Sequence, residues 1–327
     1  MQKKTIWYLK GYYGYKNFGD ELLWLGVIRY LFTHYPLEKL YIEVDDPDWF
    51  WSWLDRHQSL VWEYLCKVKL VSKHDKYNVV RLSILTKDVH IFLWGWEVLC
   101  PARWWFHGGW NIGILYAIQF LRRNVTLLWW VSKAKNTLFK ALYSFVLSRC
   151  DKIVLRDPQS YKYVVSNYVF DGSTLLYHDF WLDIVDSLLL SDQTSKTTMS
   201  KTCPSCPYMI CNSTQYVDSS WLTDVVRSLT QKYGLSSVVY FCWERPDKRF
   251  WDDLSLYLWW QLLTHFDRTE STLFDVFCLF RGASCGVAVR LHVIAMLARL
   301  GIPFEYIVYQ EKVEKFLAAN KHEHIGK

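Results

Sequence analysis

Short apolar runs alternate with longer amphipathic segments along most of the chain. Runs such as residues 40–44 and 89–94 predict buried strands, and longer segments such as 135–149 predict helices. Strands that alternate with helices over so long a span are typical of parallel, doubly wound sheets, so the pattern predicts an α/β protein. The other predicted strands lie at residues 5–10, 68–71, 125–131, 152–155, 208–211 and 237–242, and the other helices at 22–32, 49–54, 112–121, 158–165, 220–233, 252–266, 272–281 and 311–319.

One segment interrupts this alternation and predicts a domain boundary. Residues 191–207 are rich in Ser, Thr, Lys and Pro and poor in apolar side chains, which is typical of a linker. We therefore predict a Rossmann-like domain at residues 1–190 and a second at 208–327, facing each other across a cleft in a GT-B-like arrangement. The last predicted helix, 311–319, would pack back across the domains.

The strongest candidate for chemistry is a predicted strand–helix–strand unit near the C-terminus. A strand at residues 286–289 runs into Arg290-Leu291-His292, a helix follows at 293–300, and the next strand is predicted at 304–309. Open α/β sheets bind ligands at the carboxyl ends of their strands, where a helix N-terminus offers N–H groups to an anion. Arg290 would add a charged fork for carboxylate or phosphate, and His292 an imidazole in the first helical turn. The structural alternative is that Arg290 pairs with a carboxylate and His292 is a partly buried surface residue.

A glycine-rich turn at residues 11–21 joins the first predicted strand to the first helix. Glycines in such a turn let the backbone approach a ligand, although the spacing matches neither a dinucleotide-binding nor a Walker motif. Asp20 and Glu21 could accept hydrogen bonds from sugar hydroxyls. They could equally stabilise the first helical turn by their charge.

Composition narrows the class of protein. Of the 327 residues, 51% are hydrophobic, which is enough for two hydrophobic cores. The net charge of +6 comes from scattered basic residues that form no stripe typical of nucleic-acid binding. The apolar runs are too short for a signal peptide or for the roughly 20 residues of a membrane span, so we expect a cytoplasmic protein. The 19 tryptophans favour an aromatic core, with sugar stacking or contact with a membrane surface as alternatives.

The nine cysteines are an odd number without regular spacing, which favours reduced thiols over a disulfide framework. Cys203, Cys206 and Cys211 form the one cluster with metal-like spacing. A second Cys-x-x-Cys and a nearby His are absent, so we expect two loop thiols rather than a zinc site, and no metal.

Four motifs together resemble the polysaccharide pyruvyl transferase family. They are the glycine-rich turn from Gly11 to Glu21, the run Arg156-Asp157-Pro158-Gln159-Ser160, the triplet Arg290-Leu291-His292, and Gly301-Ile302-Pro303 with Tyr309 and Lys312 after it. Their order and spacing cover most of the chain. Two places depart from the family pattern: Gly95-Trp96-Glu97 replaces a run of three glycines, and Ser132-Lys133 replaces a Gly-x-Gly-Pro element.

The resemblance implies transfer of an enolpyruvyl unit from phosphoenolpyruvate to two hydroxyls of a sugar in a polysaccharide or its lipid-linked precursor. It implies that Arg156, Arg290 and Leu291 bind the donor and that His292 is the general acid. Asp20 would act on the acceptor, bound by Gly14, Asn17 and Glu21, with Asp179 as a further candidate. Phosphoenolpyruvate would be a co-substrate, and no other cofactor is implied.

Two other classes remain open. One is a GT-B glycosyltransferase that uses a nucleotide-sugar, since a basic pair would also suit a diphosphate. The other is a non-catalytic saccharide-binding relative, because fold does not secure function.

Overall fold

The chain divides into two compact units. The first comprises Met1–Lys16 and Asp20–Asp183, and the second comprises Asn17–Gly19 and Ile184–Lys327. A computed structural model describes residues 5–10, 18–56, 63–72, 89–94, 124–128, 137–155, 158–168, 174–177, 180–194, 206–213, 217, 219–241, 263–266, 271–308, 313–314 and 316–317.

The first unit is built on a seven-stranded parallel sheet with the order β3-β2-β1-β4-β5-β6-β7. The strand order reverses between β1 and β4, which pair directly. The elements are β1 (Ile6–Lys10), α1 (Phe18–His34), β2 (Leu40–Val44), α2 (Pro47–Arg56), β3 (Val68–Ser72), β4 (Val89–Trp94), β5 (Val125–Leu128), α3 (Thr137–Arg149), β6 (Lys152–Leu155), α4 (Pro158–Asn167), β7 (Thr174–Tyr177) and α5 (Phe180–Thr194), which continues into the second unit.

The second unit repeats this architecture with five parallel strands in the order β10-β9-β8-β11-β12. Here the order reverses between β8 and β11, whose register pairs Val287 with Cys211. The elements are β8 (Tyr208–Cys211), α6 (Ser219–Tyr233), β9 (Ser237–Phe241), β10 (Leu263–Phe266), α7 (Leu273–Arg281), β11 (Cys285–Ala288), α8 (Leu291–Arg299) and β12 (Phe304–Tyr306).

The central strands of both sheets are largely buried, as expected for parallel sheets with crossover helices, whereas the edge strands β3 and β12 are mostly half-buried. Every residue of β8, β9 and β11 is buried, so these strands read as continuous apolar runs in the sequence. Helix α1 is buried from Leu22 to Ile28, and a Cβ at Gly26 would lie 2.6 Å from the carbonyl carbon of Phe180. That glycine therefore allows α1 to pack against the backbone at the start of α5.

The predicted α/β class with two doubly wound parallel sheets is confirmed, and most element bounds agree within a few residues. The predicted helix at 252–266 is wrong at its end, because residues 263–266 form β10 and pair with β9. Strand β7 and helix α5 were not predicted, and residues 191–194 of the expected linker are the last turn of α5. Helix α1 begins at Phe18 rather than at residue 22. The predicted helix at 112–121 lies outside the described residues, and of the last predicted helix residues 313–314 and 316–317 are helical.

Candidate functional site

The junction between β11 and α8 holds the Arg-Leu-His triplet at the carboxyl end of a buried strand. Arg290 is the N-cap of α8 in extended conformation (φ −77°, ψ 131°), and its carbonyl accepts hydrogen bonds from the N–H groups of Val293 and Ile294, each at 3.0 Å. Leu291 is the buried first residue of the helix and His292 is half-buried in its first turn. Strand β11 adjoins the reversal of strand order, where open α/β sheets bind their ligands.

The two neighbouring helices of this unit are capped very differently. Helix α7 has a capping box, in which the Asp275 N–H donates to Thr272 Oγ1 at 3.1 Å and the Thr272 N–H donates to Asp275 Oδ2 at 2.9 Å. Helix α8 has Arg290 at the same position, and that side chain makes no capping hydrogen bond. Arg is a poor N-cap residue, so helix stability does not explain its presence. A guanidinium beside the positive end of a helix dipole instead suits an anionic ligand.

A buried asparagine holds the backbone of this junction in place. Asn212 follows β8 directly and is fully buried. Its Oδ1 accepts a hydrogen bond from the Arg290 N–H at 3.2 Å, and its Nδ2 donates to the carbonyl of Phe241, at the end of β9, at 2.9 Å. Its own N–H donates to the Val287 carbonyl at 2.9 Å. Asn212 thus connects the carboxyl ends of β8, β9 and β11 through its side chain and its backbone, and it fixes the start of α8.

The imidazole of His292 packs against the backbone of Gly19, in the first turn of α1. Gly19 is buried and belongs to the second unit. A Cβ built on it would lie 2.5 Å from Cε1 and 2.8 Å from Cγ of His292, and closer still to Nδ1. Within the second unit, the structure therefore brings Gly19 and the Arg-Leu-His triplet together.

The other predicted site residues are described only in part or not at all. Asp20 and Glu21 lie in the first turn of α1, and their side chains are outside the described set. The remaining candidates and the two departures from the family pattern lie outside the described residues; these are Gly14, Asn17, Arg156, Asp179, Gly95-Trp96-Glu97 and Ser132-Lys133.

The structure also shows how side chains that could bind a metal are distributed in the part of the chain that it describes. Its His, Cys, Asp and Glu side chains form no group of three that could hold an ion. Burial raises the pKa of Cys211 to about 12, so this thiol of the cysteine cluster is protonated at neutral pH.

The sequence analysis did not single out Asn212 or Gly19 as residues of the candidate site. Asn212 could have been found as the first polar side chain after a buried strand, which is where ligand-proximal residues of parallel sheets lie. Gly19 was visible as part of the glycine-rich turn, but only the packing shows which side chain it contacts.

Two parallel Rossmann-like sheets, with a basic strand–helix junction at the order reversal of the second, define a GT-B-like α/β protein. A family model of polysaccharide pyruvyl transferases matches residues 17–311, which include the His292 and Gly19 positions. The chain belongs to the polysaccharide pyruvyl transferase family, and it is accordingly a transferase.

Solved structures with a similar fold include UDP-N-acetylglucosamine 2-epimerases. The enzyme from Rickettsia bellii has a TM-score of 0.56 at 8% identity, covering 98% of this chain and 89% of that chain. The enzyme from Neisseria meningitidis, bound to UDP-GlcNAc, has a TM-score of 0.57 at 13% identity, covering 96% of this chain and 86% of that chain. At these identities the likeness shows the fold alone. No curated protein matches the chain. No helix among the described residues is long and apolar enough to span a bilayer.

Proposed function

We propose that this protein transfers the enolpyruvyl unit of phosphoenolpyruvate to two hydroxyls of a sugar, in a polysaccharide or its lipid-linked precursor, and forms a cyclic pyruvate ketal. The observation that carries the proposal is the β11–α8 junction. There Arg290 occupies the N-cap of α8 without capping the helix, at the strand-order reversal, with His292 in the first helical turn.

The negative charge of the proposed donor complements the positive charge of this junction. Phosphoenolpyruvate carries a carboxylate and a phosphate, and the N-terminus of α8 with the Arg290 guanidinium presents oriented N–H donors to such an anion. Asn212 stabilises this arrangement because its hydrogen bond fixes the Arg290 backbone. Arg156 would supply the second cation, and the Leu291 N–H a further donor.

His292 would act as the general acid. In the first addition, a proton passes from the imidazolium to the methylene carbon of the donor, and a sugar hydroxyl forms a bond to the central carbon as it loses its own proton. Phosphate then leaves with the electrons of its C–O bond. The second hydroxyl then closes the ketal and its proton passes to phosphate. The proton lost by the first hydroxyl restores the imidazolium of His292, so the net change is one new methyl proton and one hydrogen phosphate. Asp20 would accept a hydroxyl proton, and Gly14, Asn17 and Glu21 would bind the acceptor.

Phosphate release from phosphoenolpyruvate, measured with a panel of sugar acceptors, tests this proposal. The parent should release phosphate with at least one acceptor and form an acid-labile ketal. The His292→Ala variant should be slower by roughly 10²–10⁴-fold, because a positioned acid contributes about that much. Its melting temperature should stay near that of the parent, since the ring is only half-buried. Equal rates for the two proteins would remove His292 from the mechanism.

The two alternatives predict different results in the same assay. A nucleotide-sugar transferase would release no phosphate from phosphoenolpyruvate and would release nucleotide from its own donor. A non-catalytic relative would bind sugar and release neither.

A further inference from the structure

The first turn of α1 contains a glycine whose presence the helix does not explain. Gly19 is the second residue of α1, and among the described glycines only Gly234 and Gly301 have a positive φ. Alanine forms helices better than glycine, by up to about 1 kcal/mol in a helix interior. Neither backbone freedom nor helix propensity accounts for Gly19, so the reason must lie in what surrounds it.

The contact with His292 supplies that reason. A Cβ at Gly19 would overlap Cε1 and Cγ of the imidazole at 2.5 and 2.8 Å, whereas ordinary van der Waals contacts begin at 3.4 Å. Alanine could be accommodated only if the ring moved away. His292 lies on a helix whose start is fixed by the Asn212 hydrogen bond, so the ring would make room by a change of its own side-chain torsion angles.

We propose that Gly19 is a positioning residue for His292: its bare backbone is the surface against which the imidazole packs, and this contact sets the direction from which the ring delivers its proton. This inference rests on the proposed role of His292 as general acid. Gly19 itself would touch no reacting atom.

The test is Gly19→Ala, with Thr33→Ala as a matched control. Thr33 is an exposed residue near the other end of α1, so this control introduces the same side chain into the same helix roughly four turns away from Gly19. We expect Gly19→Ala to lower kcat by about 10²-fold with the KM for phosphoenolpyruvate unchanged, because a misplacement of about 1 Å costs about that much in rate. Thr33→Ala should match the parent in both constants.

A double-mutant cycle shows whether Gly19 acts through His292. In the His292→Ala background the space left by the imidazole accepts the new Cβ. Gly19→Ala should therefore cause no further loss of rate and leave the melting temperature at that of His292→Ala. If the two losses multiply instead, Gly19 acts on something other than His292 and the inference is overturned.

A spectroscopic measurement keeps the test independent of activity. With [13Cε1]-histidine labelling, the His292 signal is the one of ten that disappears in His292→Ala. Its chemical shift and titration midpoint should change in Gly19→Ala and remain unchanged in Thr33→Ala. An unchanged His292 signal in Gly19→Ala would overturn the inference even if the proposed reaction is also wrong. A changed signal in a protein that releases no phosphate would support the packing contact and reject the reaction instead.

Discussion

A half-buried histidine in the first unit shows how the surroundings of one residue decide its chemistry. The His90 ring lies among Trp7, Tyr35 and Phe92, with ring centroids 5.1, 6.2 and 5.0 Å away. Its Nε2 is hydrogen-bonded to Thr126 Oγ1 at 2.9 Å. Burial lowers the pKa of His90 to about 4; Asp151 opposes this shift and Lys152 adds to it. His90 is consequently neutral at pH 7 and packs among the aromatic side chains of the first unit.

This lowered pKa makes the stability of the protein pH-dependent. In the unfolded chain His90 protonates near pH 6.5, whereas in the folded protein it resists protonation down to about pH 4. The stabilisation is fully present above pH 6.5 and is lost as the pH falls toward 4, by up to about 3 kcal/mol. In His90→Phe, which keeps an aromatic ring but cannot titrate, the urea midpoint should fall less between pH 7 and pH 4.5 than in the parent. Parallel pH profiles for the two proteins would contradict this assignment.

At the scale of whole elements, α7 begins with residues that stabilise the helix, whereas α8 begins with residues of the candidate site. Thr272 and Asp275 satisfy the first turn of α7 with a reciprocal pair of hydrogen bonds. The first turn of α8 is instead preceded by an arginine, and its geometry depends on Asn212 from a different strand. Local rules are broken most often where a site needs a particular side chain, so this contrast favours a functional role for Arg290.

The contrast predicts opposite effects for two substitutions. Arg290→Ser provides a good N-cap, so the free energy of unfolding should stay within about 1 kcal/mol of the parent, while phosphoenolpyruvate binding weakens by roughly 10²-fold. Thr272→Ala should cost about 1 kcal/mol of stability and leave donor binding unchanged. Urea unfolding and isothermal titration calorimetry measure the two quantities. Equal donor affinity in the parent and Arg290→Ser would place the donor elsewhere.

At the scale of the whole molecule, both sheets reverse their strand order once, and each reversal lies between two directly paired strands. Ligands of doubly wound sheets bind at such points. The fold is shared with epimerases that act on nucleotide-sugars, so architecture alone does not choose between a nucleotide-sugar and phosphoenolpyruvate as donor.

Ligand-induced stabilisation of the whole protein distinguishes the two donors. At 100 times its Kd, a ligand that binds only the folded state adds about 2.7 kcal/mol of stability, which corresponds to a rise in melting temperature of about 5 °C. Phosphoenolpyruvate should produce this rise in the parent and a much smaller one in Arg290→Ser. UDP-N-acetylglucosamine should produce none. A rise with the nucleotide-sugar alone would favour the glycosyltransferase alternative.

The sequence by itself determined the features that depend on neighbouring residues. Runs such as those of β2, β4, β6 and β8 were predicted to the residue, because a strand covered on both faces is mostly apolar. The position of Arg290 after such a strand and before a helix was predicted for the same local reason.

Contacts between distant parts of the chain were decided only by the tertiary structure. Leu263–Phe266 is a strand because β9 offers it a parallel edge, a pairing that its own residues do not encode. Asn212 reaches Arg290 across 78 positions of sequence, and Gly19 meets His292 from the opposite end of the chain. The secondary-structure propensity of neighbouring residues carries no information about such pairs, since they come into contact only when the elements pack together.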